Sequence, residues 1–402
     1  MAASGGKNRA DRREGLRIRD SIRMNGKRSM DAETTASTPE PRPDRSRFAA
    51  AYRVLEDAIR GQAFPGCAFG VLAAGELVLQ DALGRFTYDA DSPRVTARTV
   101  FDVASLTKVV STTAAAMLLD QRGQLELDLP LAERLPAFVA GRSAGDPARR
   151  VTLRHLLAHN SGLPGYVEFF RTARTADALL DACLKTPLEA EPGTRAEYSD
   201  PGFILLGKAL EVLISENLAV WTAREIFQPL GLASTLFSPP QIARAAIPPT
   251  EIDENFRHRP IQGEVQDENA FVLGGVAGHA GLFSSVPDLL GFAREIVSAA
   301  TPGATTSRIF YGKTIALFSR RQGPEDSSRA LGWDTPSENS SSGRHFSPHS
   351  IGHLGFSGCS LWIDLDASVT IVLLTNRTWP RRESQKIRLV RPAFHDAVRE
   401  AL

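Results

Sequence analysis

The sequence has little of what marks secreted, membrane-spanning or nucleic-acid-binding proteins. Its 402 residues include only three cysteines, Cys67, Cys183 and Cys359. They are far apart, odd in number and in apolar surroundings, which is typical of small core residues rather than of disulfides or metal ligands. No apolar run approaches the ~18 residues that a membrane span needs. The formal net charge of +1 gives no support to nucleic acid as a partner.

The positive charge is concentrated at the N-terminus. Residues 1–47 hold twelve Lys or Arg and seven Asp or Glu, a net charge of +5, which leaves −4 for the remainder. This polar stretch cannot bury enough apolar surface to order itself, so we predict a disordered basic leader over residues 1–47 and folded structure from near Phe48. No apolar signal segment follows its paired arginines, which favours a cytoplasmic location. A later methionine as the true start is an alternative.

Several common catalytic motifs are also missing. There is no G-x-S-x-G sequence, and Gly312-Lys313-Thr314 lacks the upstream glycine of a P-loop because position 307 is serine. No G-x-G-x-x-G follows a predicted strand, and no His/Cys cluster has zinc spacing. We therefore expect neither a nucleotide cofactor nor a metal ion.

The pattern of apolar residues predicts strands at both ends of the chain. "GCAFGVLAAGELVLQDALGRF" indicates a β-hairpin that turns at residues 74–76, and "CSLWIDLD" with "SVTIVLLTNR" indicates a second hairpin around residues 366–367. Helical spacing predicts helices over residues 48–62 and about 385–402, and an Ala-rich helix that ends at Gly123.

These elements predict an α/β (α+β) fold with one antiparallel sheet assembled from both chain ends and flanked by helices. The sheet region would cover about residues 48–120 and 285–402, and an inserted, mostly helical subdomain would cover about 121–284. Together they would form one domain over residues 48–402. Residues 322–348 are polar, which predicts a long surface loop.

The stretch "FDVASLTK" places Ser105 three residues before Lys108. If a helix begins near Ser105, the two side chains share one face, and burial of the lysine in this apolar stretch would lower its pKa, as a proton acceptor requires. The helix N-terminus would also present backbone N–H groups to an oxyanion. The alternative is that Ser105 caps the helix and Lys108 extends to solvent. A second S-x-x-K, from Ser4 to Lys7, lies in the polar leader, so the motif alone decides nothing.

Two further motifs follow in order. Tyr198-Ser199-Asp200 precedes a predicted helix, and His353-Leu354-Gly355 lies at the start of the penultimate predicted strand. The order S-x-x-K, Y-x-[Asn-like], [Lys/His]-x-Gly resembles the serine β-lactamase and penicillin-binding superfamily, above all class C β-lactamases, D-alanyl-D-alanine carboxypeptidases and esterases of the same fold. "VTLRHLLAHNSGLPG" and "GGVAGHAGLFSSVPDLLGFA" resemble two more segments of that family. The resemblance covers about residues 48–400.

The resemblance implies a cofactor-free serine hydrolase with a β-lactamase/transpeptidase-like fold. Ser105 would be the nucleophile that forms an acyl-enzyme, and Lys108 and Tyr198 would share the proton transfers. A cation beside Tyr198, either Lys108 or His353, would favour its phenolate form. The oxyanion hole would be the backbone N–H groups of Ser105 and Phe356.

The chain departs from the family pattern in ways that bear on its substrate. Asp200 stands where asparagine is usual, and it would either keep Lys108 protonated, which moves the role of general base towards Tyr198, or cap the next helix. His353 and Leu354 replace the usual Lys-Thr, so two groups that would hold a substrate carboxylate are missing, which favours an ester or a neutral amide. His353 would titrate near neutrality, and anion binding would fade above pH ~7.

Other polar residues in the family-like segments have less specific predictions. Gly355 would let the substrate approach the strand closely. We expect structural roles for His159, which would fix a turn before Gly162, and for His279 within the glycine-rich loop. Residues 267–269, Asp-Glu-Asn, could line the pocket or bind backbone amides.

Three functional hypotheses follow. The leading one is a serine hydrolase that acts on a small acyl substrate, as an esterase or a peptidase. The second is a D,D-carboxypeptidase or β-lactamase of the same fold. The third is a catalytically silent binding protein, which the substitutions at Asp200 and Leu354 would explain. None of the three calls for nucleic acid or a membrane span.

Overall fold

The computed structural model describes residues 44–402 except 304 and 306, so most of the leader predicted over residues 1–47 lies outside the described residues. The strands in the described part of the chain are β1 (Gly66–Ala73), β2 (Glu76–Gly84), β3 (Phe101–Asp102), β4 (Leu236–Phe237), β5 (Pro249–Asp253), β6 (Arg259–Gln262), β7 (Leu282–Ser284), β8 (Ile351–Leu354), β9 (Ser360–Asp364) and β10 (Val369–Thr375).

The main sheet is antiparallel and joins the two ends of the chain. Its strand order is β2-β1-β10-β9-β8, and β1 pairs with β10 along its whole length, from Cys67 opposite Thr375 to Ala73 opposite Val369. Every residue of β10 is buried, and its Val-Thr-Ile-Val-Leu-Leu-Thr sequence suits a central strand. The predicted sheet built from both chain ends is therefore confirmed.

The α-helices of the described residues lie between and beside these strands. They are α1 (Ala49–Arg60), α2 (Ala114–Gln121), α3 (Leu153–Leu157), α4 (Ala176–Leu184), α5 (Asp200–Ile214), α6 (Leu218–Thr222), α7 (Gln228–Leu230), α8 (Glu268–Val272), α9 (Val286–Ala300), α10 (Gly312–Ser319) and α11 (Ile387–Glu400). No helix in this part of the chain is long and apolar enough to cross a bilayer.

Alternate residues of β1 serve two separate cores, as the period of a strand requires. Phe69 contributes to the core under α1 and α11, where its ring packs edge-on against Phe394 at 5.7 Å between centroids. Ala68 and Leu72 contribute to the larger core on the other face, which also takes in α9. Gly70 lies on this second face, where a Cβ atom would come within 2.7 Å of side chains of α9. The glycine lets α9 pack directly on the sheet.

The helix predicted to end at Gly123 is one continuous helical run that combines three kinds of helix. A 3₁₀ turn (Ala104–Leu106) leads into a π-helical stretch (Lys108–Thr113), and α2 completes the run. Gly123 has a φ of +67°, as expected of the left-handed residue after a helix. The run lies within the larger core, since almost all of its residues are buried. Side chains on it are therefore held by packing on all sides.

The structure adds two details to the predicted arrangement. The middle of the chain, predicted as mostly helical, also contains the short strands β4, β5, β6 and β7 between residues 236 and 284. These strands are only two to five residues long, too short for a clear alternation of apolar and polar residues. The second detail concerns His353, which lies within β8, an edge strand of its own, and the turn after β8 leads to the penultimate strand, β9.

Candidate active site

The segment that carries Ser105 is fixed by a buried aspartate. Asp102 accepts hydrogen bonds from the backbone N–H groups of Ala104 (2.8 Å) and Gln266 (2.7 Å). Ala104 has a φ of +48°, which is uncommon for a residue with a side chain, and the first bond holds it there. Burial raises the pKa of Asp102 to about 6. Ser105 lies inside the first turn, and the turn has no side-chain cap, so the alternative that Ser105 is a helix cap is wrong.

Lys108 is fully buried and its ammonium group has three acceptors. Its Nζ donates to Oγ of Ser105 (3.1 Å), Oδ1 of Asp200 (2.6 Å) and the backbone oxygen of His279 (3.1 Å). The alternative that Lys108 extends to solvent is therefore wrong. The lowered pKa that we expected is also wrong: burial acts in that direction, but the charge of Asp200 and the contacts with Asp200 and Tyr198 outweigh it and raise the pKa of Lys108.

Tyr198 lies over the same ammonium group, with its ring centroid 4.8 Å from Nζ of Lys108. The pKa of Tyr198 is raised, because burial and the charge of Asp200 outweigh the opposite effects of Lys108 and of the hydrogen bond with Ser105. The predicted phenolate is thus wrong for the free protein. Tyr198 holds its proton at neutral pH and can donate it.

Asp200 begins α5 without capping it. The cap is Ser199, whose Oγ accepts a hydrogen bond from the N–H of Gly202 (3.0 Å) and donates one to the backbone oxygen of Pro164 (2.7 Å). The alternative that Asp200 is the cap is wrong, and its carboxylate is instead directed at Lys108. Ser199 and α5 thus place one carboxylate oxygen against the buried ammonium group.

The ring of His353, on β8, lies beside that of Tyr198 with 5.8 Å between the ring centroids, and its Nδ1 lies 2.9 Å from the backbone oxygen of Leu354. Burial first, and then the positive charges of Lys108 and Arg329, hold the pKa of His353 well below its usual value. The prediction that His353 supplies a charge and titrates near neutrality is therefore wrong. It is a neutral ring at physiological pH.

Gly355 and Phe356 follow β8 in the turn that leads to β9. Gly355 lies against the segment before Ser105, so closely that a Cβ atom at 355 would come within 2.4 Å of the backbone oxygen of Val103. No described residue accepts a hydrogen bond from the N–H of Phe356 or from that of Ser105. Both N–H groups are therefore available to a ligand, and the ring of Phe356 is 47% exposed.

The two other histidines hold neighbouring backbone. His159 has a φ of +56° and accepts a hydrogen bond from the N–H of Ser199 at Nδ1 (3.0 Å). Its ring is tilted against that of Tyr198, with 4.6 Å between the ring centroids. Nε2 of His279 lies 2.8 Å from Oδ1 of Asp267, and the same oxygen accepts from the N–H of Ala270. These contacts are structural, as expected.

One cation near the site gave no signal in the sequence. Arg329 lies in the polar segment 322–348, and its guanidinium carbon is 5.2 Å from the ring centroid of Tyr198. Its side chain is 23% exposed, its nearest acidic group is Asp334 at 3.9 Å, and no described residue accepts a hydrogen bond from its guanidinium group. The segment carries no motif that would single out this arginine. The predicted surface loop is also wrong for this part of it, because Leu331 and Trp333 are buried in the larger core.

Three buried carboxylates lie beside the site, those of Glu251, Asp253 and Glu268. Among the described residues, they form the one group whose spacing would suit metal ligands. Arginines already pair with them. Arg382 binds Glu251 and Glu268, and Arg257 binds Asp253 at 2.9 Å. Because guanidinium groups occupy the carboxylate oxygens, the cluster fits an ion-pair network better than a cation site.

Over residues 51–393 the chain matches the family model described as Beta-lactamase. The chain belongs to the β-lactamase family. A curated relative from Salmonella typhi, named "Putative D-alanyl-D-alanine carboxypeptidase", is 30% identical over 346 residues, which cover 78% of this chain and 79% of the relative. As a member of this family, the chain is a serine hydrolase, and the resemblance read from its motifs is confirmed.

Solved structures of the β-lactamase fold are similar over nearly the whole described chain. EstCE1, "a hydrolase with promiscuous acyltransferase activity", has a TM-score of 0.71 at 23% identity and covers 88% of this chain and 98% of its own. A class C β-lactamase from Rhodobacter sphaeroides has a TM-score of 0.65 at 22% identity, with 87% and 98% covered. These likenesses confirm the β-lactamase/transpeptidase-like fold.

Proposed function

We propose that this β-lactamase-family hydrolase forms an acyl-enzyme on Ser105 and acts as an esterase or peptidase on a small acyl substrate. The observation that carries the proposal is the buried ammonium group of Lys108, which contacts both Ser105 Oγ and the Asp200 carboxylate. A serine hydroxyl is a weak nucleophile until a neighbouring group takes its proton. Lys108 and Tyr198 are both within reach of the hydroxyl, and we assign the role to Lys108 because Asp200 can take its proton.

Proton transfer from Ser105 needs a neutral amine, and Asp200 provides the way to it. In the free protein Lys108 is protonated and Tyr198 is a phenol. When substrate excludes water, Lys108 passes one proton to Asp200 across their 2.6 Å contact. The amine then takes the proton of Ser105 as Oγ attacks the acyl carbon. The total charge of the Lys108–Asp200 pair is the same before and after its internal transfer.

The remaining groups serve the charges that develop during the reaction. The free N–H groups of Ser105 and Phe356 would bind the oxyanion of the tetrahedral intermediate. The Tyr198 phenol would protonate the leaving alkoxide or amine and recover its proton through Lys108. Water would then attack the acyl group, lose its proton to the same amine, and release the acid with Ser105 restored.

Replacement of the nucleophile tests the proposal. Ser105→Ala should lower the turnover of a p-nitrophenyl ester by at least ~1,000-fold, and intact-mass measurement should show no fluorophosphonate adduct. Ser111→Ala is the matched control, since Ser111 is buried on the same helical run and its hydroxyl has no hydrogen-bond partner among the described residues. Undiminished turnover by Ser105→Ala would overturn the proposal.

A specific observation favours a second candidate, a D,D-peptidase that binds a substrate carboxylate. The usual lysine is absent from position 353, but Arg329 brings a cation to within 5.2 Å of the Tyr198 ring and has no acceptor among the described residues. The Salmonella relative carries a D-alanyl-D-alanine carboxypeptidase name, which agrees with such a substrate.

Paired substrates separate the two candidates. If the second holds, the wild-type enzyme should hydrolyse an acyl-D-alanyl-D-alanine peptide at least ~10-fold faster than its C-terminal amide, and Arg329→Gln should remove that preference, since one charge-assisted hydrogen bond accounts for such a ratio. Equal rates on both peptides, with unchanged ester turnover in Arg329→Gln, would leave the esterase as the better description.

A further inference from the structure

Two arginines behind the site are buried without a negative partner. Arg377 and Arg391 are 5% and 6% exposed, and no described carboxylate forms an ion pair with either. Burial, together with nearby arginines, lowers the pKa of each to about 10. A buried cation with no counter-charge is strongly unfavourable unless its donors are fully used.

All the hydrogen bonds of Arg391 and one of those of Arg377 go to one short turn, residues 355–359. Nη1 of Arg377 donates instead to the backbone oxygens of Arg382 (2.9 Å) and Ser384 (2.7 Å). Arg391 donates to the backbone oxygens of Gly355 (2.7 Å), Gly358 (3.2 Å) and Cys359 (2.8 Å). Arg377 donates from Nε to the backbone oxygen of Phe356 (2.8 Å). The carbonyl groups of the turn are thus drawn towards two guanidinium groups.

This arrangement sets the direction of the N–H of Phe356. The peptide group between Gly355 and Phe356 is trans and planar, so its C=O and N–H point in opposite directions. The C=O accepts from Arg391 and also from the N–H of Gly358 (3.0 Å). The N–H of Phe356 must therefore point away from Arg391, and no described residue accepts it.

The turn is also joined to the nucleophile segment. Ser357 Oγ donates to the backbone oxygen of Asp102 (2.7 Å), three residues before Ser105. Gly355 lies against the backbone oxygen of Val103. The outward N–H of Phe356 and the hydroxyl of Ser105 are thereby held in one rigid unit.

We propose that Arg391 and Arg377 are positioning residues of the oxyanion hole, which fix the Phe356 N–H and place two positive charges behind the peptide that receives the oxyanion. The inference rests on the proposed function at Ser105. It adds that the stabilising charge comes from outside the pocket. Fixed charges aimed at a developing oxyanion act on the transition state and leave substrate binding almost unchanged.

Variants at position 391 test the proposal on the full-length protein. Arg391→Met should lower kcat for a p-nitrophenyl ester by about 10- to 100-fold and change KM by less than about threefold. Arg391→Lys keeps the charge and should recover a substantial part of kcat. Arg388→Met, on the exposed side of the same helix, is the matched control and should stay within about twofold of the wild type.

A spectroscopic readout separates this role from simple support of the fold. Acylation with ¹³C-carbonyl p-nitrophenyl trimethylacetate, whose hindered acyl group slows hydrolysis, gives an acyl-enzyme whose C=O stretch reports polarisation by the oxyanion hole. Arg391→Met should move this infrared band to higher wavenumber. The proposal would be overturned if Arg391→Met showed the wild-type infrared band and the wild-type kcat per fluorophosphonate-reactive site. A change in its melting temperature would not alter that conclusion.

Two outcomes keep this inference distinct from the proposed function. If wild type and Ser105→Ala hydrolyse the ester equally, the proposed function fails and the inference with it. If Ser105→Ala is inactive while Arg391→Met and Arg391→Lys both match the wild type, the inference alone fails. Should Arg391→Met not fold, Arg377→Met is measured in the same assays, and a wild-type kcat and band would again overturn the proposal.

Discussion

Single residues decide the protonation of the candidate site. Ser105, Lys108 and Asp200 form a chain of hydrogen bonds in which the central group is fully buried. In water, neighbouring charges hardly change the proton affinity of an ammonium or a carboxylate group. In a buried site, the proton affinity of each group depends on the protonation of the others. Asp200 therefore matters to the chemistry as much as Lys108 does.

Asp200→Asn should change the pH profile of kcat/KM. With the carboxylate, Lys108 can pass its proton to Asp200, so we expect a flat profile through neutral pH. Without it, Lys108 must lose its proton to solvent before it can act. Its pKa should be lower in the variant, because the charge of Asp200 no longer outweighs burial, and below that pKa the activity should fall by about tenfold per pH unit. Stopped-flow measurement of ester turnover from pH 5 to 10 checks this.

The control for this experiment is Asp177→Asn, which removes a carboxylate from the exposed first turn of α4. It should leave the profile unchanged. If Asp200→Asn shows a flat profile like that of the wild type, then Asp200 does not take the proton.

Gly355→Ala should be harmful for a steric reason. A Cβ atom would lie within 2.4 Å of the Val103 backbone oxygen, so either the turn or the nucleophile segment must move. We expect kcat to fall by at least ~10-fold and the free energy of unfolding to fall by about 1–3 kcal/mol. Gly145→Ala is the control, since open space surrounds that position. Thermal melting and ester turnover are measured for both variants, and only Gly355→Ala should show a loss.

At the scale of elements, helix α5 connects stability to the site. Its cap, Ser199, bonds to Gly202 and Pro164, while its first residue, Asp200, reaches Lys108. A loose start of α5 would therefore also displace the carboxylate. A cap elsewhere in the fold has no such second effect.

Ser199→Ala and Thr175→Ala form a matched pair that tests this connection. Thr175 caps α4 through the N–H of Ala178. Each substitution should cost about 1 kcal/mol of unfolding free energy, measured by denaturant titration, but only Ser199→Ala should lower kcat. Equal kcat values in both variants would show that the start of α5 tolerates movement.

The elements also show what the sequence could predict. The two hairpins and the terminal helices follow from alternation and helical spacing in long apolar stretches, and the pairing of β1 with β10 agrees with the predicted sheet. The short strands β4 to β7 were missed because they contain too few residues for a period. Motif order brought Ser105, Lys108, Tyr198 and Asp200 to attention, and the structure places them together.

Protonation and charge could not be predicted in the same way. The pKa directions of Lys108, Tyr198 and His353 depend on burial and on neighbours up to 245 positions apart in the sequence. Arg329, Arg377 and Arg391 lie in stretches without any motif, and only the folded chain shows what their guanidinium groups contact. The limits of the leader and of the domain over residues 48–402 stay predictions.

At the scale of the whole molecule, buried neutral histidines should make the fold sensitive to acid. Burial lowers the pKa of His395 to about 4 and holds the pKa values of His159 and His353 well below their usual range. The unfolded chain binds these protons near pH 6.5 and the folded chain does not. The stability they contribute is complete above pH ~6.5 and is lost as the pH falls through the folded-state values.

His395→Gln should therefore reduce this dependence. Between pH 6 and 4.5 the free energy of unfolding of the wild type should fall with a slope that approaches one proton for each of the three histidines, and the variant should lose about one proton from that slope. Denaturant unfolding at several pH values measures it. His349→Gln, at an exposed position, is the control, and the same reduction there would contradict the assignment.

The pairing of β1 with β10 has a consequence for how the protein is made. The ribosome releases the strand at residues 66–73 almost three hundred residues before its partner at 369–375. For almost all of that interval, the nascent chain carries Ser105 and Lys108 but lacks the turn at 355–359 beside them. We therefore expect incomplete chains to lack hydrolytic activity, because the strands that would complete the proposed site are the last to be synthesised.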